Sequence, residues 1–306
     1  MEYGKLINRA FQIAWRHKSL WFFGLFAGGG SSYFNLDLDG LIDNANGSGS
    51  LYGLDIPSFP EELLVPLILW FVLLGMVFFV MSLISEAGLI DSVNRIERGG
   101  VYRFGQAFSK GVGYFLRFLG MTILYIMLIL LTIGVCGGLV ALCFFLHVAL
   151  GILSLLVAIP AVIVIIFWSG NMLCLTQRSI AVRDNSIGNG LEEAHILFKA
   201  NLSKVFLITL IYIGLTILFG ILGLIVWGIF GVPIAAAVYA LGLGTIAAII
   251  AGLFMGLPIS LILGGYIGTF FSSLYTLFYF ELLEPGRIMI HSAPPPDYPP
   301  QPIGPQ

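Results

Sequence analysis

The chain has 306 residues, of which 58% are hydrophobic and 10% charged, with a mean hydropathy of +1.00. Soluble domains carry about 25% charged residues, and a domain of this size still exposes a large area, so a water-soluble fold is excluded and the implied solvent is a bilayer. The net charge of −2 excludes a global basic field, and no nucleic-acid partner is expected.

A spanning helix needs about 20 mostly apolar residues. The chain opens with a basic stretch containing Lys5, Arg9, Arg16 and Lys18, followed by SLWFFGLFAGGG over 19–30. At 1.5 Å per residue this apolar run covers roughly 18 Å, short for a hydrocarbon core of about 30 Å. It reads as a short span, with part of a signal peptide as the competing reading. Residues 31–61 carry Asp37, Asp39, Asp43, Asp55 and Glu61 and no Lys or Arg. This predicts a flexible extracytoplasmic loop. Its D-x-D-G start lacks the later positions and closing Glu of a calcium loop.

Full-length spans are predicted over 63–85, 118–146, 150–175, 205–230 and 247–283. The last is long for one straight span. The apolar stretch 232–246 before it reads as an insertion that is either re-entrant or a further span. Basic connections containing Arg95 to Arg117 and Arg178 to Lys204 alternate with connections that carry no Lys or Arg. Positive charge stays on the cytoplasmic side. The expectation is a multi-pass membrane protein with both termini cytoplasmic.

Three segments share one form: YGKLINRAFQIAWRHKSLWFFGL, FGQAFSKGVGYFLRFLGMTILYI and GLEEAHILFKANLSKVFLITLIYI. Aligning Ala10, Ala107 and Ala194 puts small or apolar positions on one side and Lys or Arg on the other. Each reads as an amphipathic helix lying along the cytoplasmic leaflet, its cations snorkelling to headgroups above Trp15, Phe108 or Phe198. In each unit a second span follows, with Pro66, Pro160 or Pro258 near its start and Arg95, Arg183 or Arg287 after its end. The expected architecture is an all-α transmembrane bundle of about six spans over residues 1–288. Its three tandem units cover approximately 3–98, 102–183 and 189–287. The tail 289–306 is proline-rich and is expected to be disordered or polyproline II.

Small residues recur every fourth position at Gly244, Ala248, Gly252, Gly256, Ser260, Gly264, Gly268 and Ser272, a ridge that lets helices approach closely in lipid. It drifts about 40° per step on a 3.6-residue helix, so it winds towards more than one neighbour. Pro258 is expected to kink the helix that carries it.

Ionisable and polar groups within spans are the default functional candidates. They are Glu86 and Asp91, Asn171 with Gln177, and Glu281 with Ser272 and Ser273. They either converge into a site near the cytoplasmic end or pair at headgroup depth with Arg95, Arg183 or Arg287. Cys136, Cys143 and Cys174 sit in apolar runs without metal or disulfide spacing. His17, His147, His195 and His291 match no metal-ligand pattern. No catalytic constellation, cofactor or metal is expected.

The stretch RAFQIAWRHKSLWFFGLFAGGG resembles a family of uncharacterised prokaryotic multi-pass membrane proteins. IAVRDNSIGNGLEEAHILFKANLSKVFLITL resembles the membrane domain that precedes some bacterial glycerophosphodiester phosphodiesterases. The resemblance implies a prokaryotic membrane protein and does not carry the phosphodiester chemistry. Three functions stay open. The first is a non-enzymatic lipid-interacting scaffold or accessory subunit, with anionic headgroups and a protein partner or second copy as its contacts. The second is a transporter or channel for a small solute or lipid. The third is a membrane-embedded enzyme.

Overall fold

A computed structural model describes residues 2–27, 61–100, 102–242 and 245–284, which form eight helices. These are α1 (Tyr3–Arg16), α2 (Leu20–Ala27), α3 (Glu61–Glu97), α4 (Phe104–Leu146), α5 (Val148–Arg183), α6 (Ile187–Ala200), α7 (Leu202–Ala240) and α8 (Thr245–Leu283). The acidic loop, the proline-rich tail and Gly244 lie outside the described residues. The backbone is helical because a chain surrounded by apolar solvent must satisfy its own N–H and C=O groups.

Five of the helices, α3, α4, α5, α7 and α8, are long and apolar enough to cross a membrane. Their 36 to 43 residues correspond to about 54 to 65 Å at 1.5 Å per residue. That is well beyond a hydrocarbon core of about 30 Å. Pro66, Pro160, Pro233 and Pro258 all lie inside continuous helices.

Two sequence expectations are revised. The stretch 232–246 is not an element of its own: 232–240 prolong α7, and α8 starts at Thr245. The amphipathic lead of the second unit is not a separate helix either. It runs without a break into the span as α4. The first and third leads do end, at His17 and at Asn201.

All the long helices meet at one end of the bundle, called here the polar end. The C-terminal parts of α3, α5 and α8 reach it, as do the N-terminal parts of α4 and α7, with α1 and α6 packed alongside. Helices α3, α5 and α8 touch one another at the centre. Around them, α2 fills the seam between α8 and α3, and α4 fills the seam between α3 and α5. The core is aromatic and aliphatic, with Phe23, Phe118, Phe270, Phe278 and Tyr279 fully buried. Towards the opposite, apolar end the side chains of α3, α4, α5 and α7 are mostly exposed and apolar, as expected of surfaces that face lipid.

The small-residue ridge serves two neighbours. Its outer part meets α7: a Cβ on Gly252 would lie 3.2 Å from the Gly231 carbonyl oxygen, and one on Gly256 would lie 2.9 Å from the Trp227 ring. Ser260 Oγ accepts from Trp227 Nε1 at 2.8 Å. Its inner part meets α2. Gly264 is buried there, and a Cβ on Gly268 would collide with the carbonyl oxygen of Gly24. Gly265, one position off the ridge, abuts the Trp21 carbonyl. Thr269 Oγ1 donates to the Leu20 carbonyl at 3.0 Å, which locks α2 backbone to backbone against α8.

Candidate functional site

The polar groups of the long helices gather at the polar end. Glu86 of α3 accepts from Arg178 Nη2 of α5 at 2.9 Å and from Ser272 Oγ of α8 at 3.1 Å, both on Oε1. The Arg178 side chain is only 4% exposed and that of Glu86 15%. Arg178 Nη1 also donates to the Cys174 carbonyl at 3.1 Å, and the guanidinium lies 5.5 Å from the centre of the Tyr275 ring. Its Nε is buried without a hydrogen-bond partner. Burying two charges is costly unless geometry and further hydrogen bonds compensate, and removing one member of such a pair costs about 3–5 kcal/mol.

Asn171, two turns before Arg178 on α5, accepts on Oδ1 from Thr209 Oγ1 of α7 at 2.9 Å and from Tyr275 OH at 3.4 Å. Its amide donates to the Phe167 carbonyl at 2.8 Å. Nearer the tip of the polar end, Glu193 of α6 accepts from Ser179 Oγ (2.8 Å), Asn185 Nδ2 (2.7 Å) and Tyr279 OH (2.9 Å), and pairs with Arg183 at 3.2 Å. Glu97 pairs with Arg9 of α1 at 2.7 Å, and Asp91 with Arg95 at 2.7 Å. Arg95 in turn donates to Gln106 of α4 at 3.1 Å. The ion pairs join two helices, except Asp91 with Arg95, which lie one turn apart on α3.

Of the residues singled out from sequence, Glu86, Asn171 and Ser272 are drawn into one network with Arg178. Asp91 stays with Arg95 on its own helix. Gln177 joins the same network, its Oε1 accepting from Arg178 Nη1 at 3.4 Å, and Glu281 is buried nearby. The partner of Glu86 is Arg178 and not Arg95 or Arg183, which corrects one pairing expectation. Arg287 lies outside the described residues. Sequence reading treated Arg178 as a loop cation. Its helical signature is visible in retrospect: Asn171, Cys174 and Arg178 fall at i, i+3 and i+7, one stripe of α5. Thr209, Tyr275, Tyr279 and Glu193 were also missed. Each is an ordinary residue whose role comes only from the neighbour it meets.

The histidines and cysteines take local roles. His147 caps α5, its Nδ1 accepting from Ala149 N at 3.1 Å. His17 stacks edge-on with Tyr102, whose phenol is pushed above its ordinary value by burial. Cys136, Cys143 and Cys174 are free and half-buried. Among the described residues no three His, Cys, Asp or Glu side chains group as metal ligands. Comparison of the chain with protein-family models, with curated proteins and with solved structures finds no match.

Proposed function

We propose that this protein is a non-enzymatic, lipid-interacting scaffold or accessory subunit of a prokaryotic cytoplasmic membrane. The observation that carries this reading is the division of its charges. Four of the carboxylates inside the bundle, Glu86, Asp91, Glu97 and Glu193, each pair with an arginine of the same chain. The cations Arg16, Lys18, Lys110 and Lys199 are exposed around the polar end with no carboxylate partner among the described residues, whereas Lys5 pairs with Glu2 at 2.6 Å; Phe11 and Trp15, on the same helix as Arg16, are exposed too. Three of these pairs are braces between helices, and Asp91 with Arg95 braces one helix. Unpaired cations next to aromatic rings suit anionic headgroups at the cytoplasmic face.

The finer architecture belongs to the same proposal: six spans in three tandem units, each led by an amphipathic segment, with both termini cytoplasmic. In its support, burial recurs at similar offsets from the aligned Ala10, Ala107 and Ala194, the same in the second and third units and one residue shorter from Leu20 onward in the first. Ala10, Ala14, Leu20 and Phe23 are buried in the first unit. Ala107, Gly111, Phe118 and Met121 are buried in the second, and Ala194, Phe198, Val205 and Ile208 in the third. The second spans match too: Ser92, Thr176 and Thr276 are fully buried, and each donates to the carbonyl four residues earlier. In this reading α2 is the start of the short first span. The resemblance to membrane domains of glycerophosphodiester phosphodiesterases agrees with a lipid-facing role. Cysteine labelling that places Asn46 on the cytoplasmic side would overturn the six-span arrangement.

The functional test is purification in mild detergent with mass spectrometry of bound lipid and protein. Enrichment of an anionic lipid, lost on replacing Arg16 and Lys18 by Gln, is the expected result. A partner-free protein carrying only bulk lipid would contradict the proposal. It would favour the transporter reading, which solute flux into proteoliposomes then checks with Glu86→Gln.

A further inference from the structure

The apolar surface of the bundle differs in height from one side to the other. On α7, residues 205–240 carry no charged side chain and cover about 54 Å of helix. Phe206, Ile217, Leu224, Ile229 and Val232, spread along that run, are each more than half exposed. The stripe they form has no cover among the described residues and must face lipid. On α3 the uncharged run between Glu62 and Glu86 is residues 63–85, about 34 Å.

Aromatic residues repeat the difference. Trp and Tyr collect at the two membrane–water interfaces. Trp70 of α3 and Tyr239 of α7 are both exposed, at 61% and 63%. Along their helices Trp70 stands about 24 Å from Glu86, and Tyr239 stands about 53 Å from Lys204.

Tilt does not reconcile the two sides. Fitting about 54 Å into a hydrocarbon core of about 30 Å needs a lean of about 56°, whereas spanning helices lean by up to about 40°. At about 40° the run on α7 still rises about 41 Å along the membrane normal. Nor does α7 lean alone. It is paired along its length with α8, through Tyr212 with Phe271, Trp227 with Ser260 and Gly231 with Gly252. In turn α8 is bonded to α2 by Thr269 and to α3 by Ser272. If the whole bundle leaned by about 40°, α3 would rise only about 26 Å, and Glu62 or Glu86 would enter the hydrocarbon.

We propose that the exposed face of α7 is a docking surface for phospholipids of long acyl chain, while the α3 side fits chains of ordinary length. A bilayer thickened along α7 covers the apolar stripe and leaves the charges at both ends of α3 in water. Each ångström of mismatch between helix and bilayer carries a cost, and long chains remove it on the α7 side. The inference goes beyond the headgroup reading, because it selects on acyl length and not on charge.

The test uses the full-length protein in vesicles that mix brominated dioleoylphosphatidylcholine with dimyristoleoyl-, dioleoyl- or dierucoylphosphatidylcholine. Quenching of tryptophan fluorescence gives the relative affinity for each chain length. All these lipids carry one head, so the outcome does not bear on anionic headgroups. Wild type is expected to prefer the dierucoyl lipid to the dioleoyl lipid by about threefold, and the dimyristoleoyl lipid least. Ile229→Lys places a charge on the exposed stripe and shortens the uncharged run of α7 to about 36 Å. It should abolish the preference for dierucoyl chains. Equal or weaker binding of the dierucoyl lipid by wild type would overturn the proposal, and would mean that the hairpin tilts or that a second copy covers it. A preference that Ile229→Lys leaves unchanged would overturn it too. The wild-type series needs no variant, so it decides the matter even if Ile229→Lys does not fold.

Discussion

The seam between α2 and α8 and the seam between α5 and α7 could hardly differ more. In the first, glycines bring two backbones together. Gly24, Gly265 and Gly268 leave no room for a Cβ, and Thr269 bonds the facing carbonyl. In the second, large side chains, Phe167, Phe206, Thr209 and Asn171, span a gap that the backbones do not close. Lipid tails are as apolar as leucine, so helices associate in a bilayer through close packing and hydrogen bonds and not through a hydrophobic force. Where small residues permit contact, the seam closes. Where they are missing, a few polar bonds and ring contacts hold the helices. One fold thus carries a tightly closed seam and a sparsely joined one.

The closed seam is where substitution should do most damage. Gly268→Leu places a side chain where the Gly24 backbone stands, and α2 must leave α8. The expected result is loss of folded protein, seen as aggregation on size-exclusion chromatography. A monodisperse variant of wild-type melting temperature would break the description of that seam.

Next comes the ion pair. Glu86→Gln leaves Arg178 buried without its counter-ion, at a cost of about 3–5 kcal/mol, measurable by denaturation in detergent. Glu86→Gln/Arg178→Met should recover most of that loss. If the double variant is as unstable as the single one, the pair is not a brace between α3 and α5.

Smaller effects sharpen the contrast. Gly252→Ala gains about 1 kcal/mol of helix propensity but meets Ala235 and Gly231 at 3.2 Å, so its stability should stay within about 1 kcal/mol of wild type. Gly137 of α4 has open space around it. Gly137→Ala should be neutral or stabilising by up to about 1 kcal/mol. A clear loss of stability there would reveal a second copy packed on that face.

Much of this was legible in the sequence. Five apolar runs near or beyond 20 residues announce themselves, and the four-residue spacing from Gly252 to Gly268 foretells close approach because only small residues permit it. The ridge's drift around the helix anticipates its two partners, α7 and α2. The partner of Glu86 was not legible. Arg178 lies 92 positions away, and its basic neighbourhood of Arg183 and Lys199 reads as a loop when the helical stripe through Asn171 and Cys174 is ignored. Continuity was also hidden. Pro258 reads as a kink, yet a helix in apolar surroundings has no better place for its backbone groups and runs on through it, as α7 does through Pro233. The sparse seam has no sequence signature, because it is defined by what two distant helices fail to do.

The contrast between the seams can be tested by replacing Tyr212 and, separately, Phe23 with p-benzoylphenylalanine and irradiating native membranes. Phe23 is sealed between α2 and its neighbours, whereas Tyr212 stands half-buried on α7 against Phe271 and Tyr275. The account predicts phospholipid adducts at position 212 and only intramolecular adducts at position 23. Adducts confined to protein at both positions would mean that the α5–α7 seam is closed in the membrane and that lipid does not enter this fold.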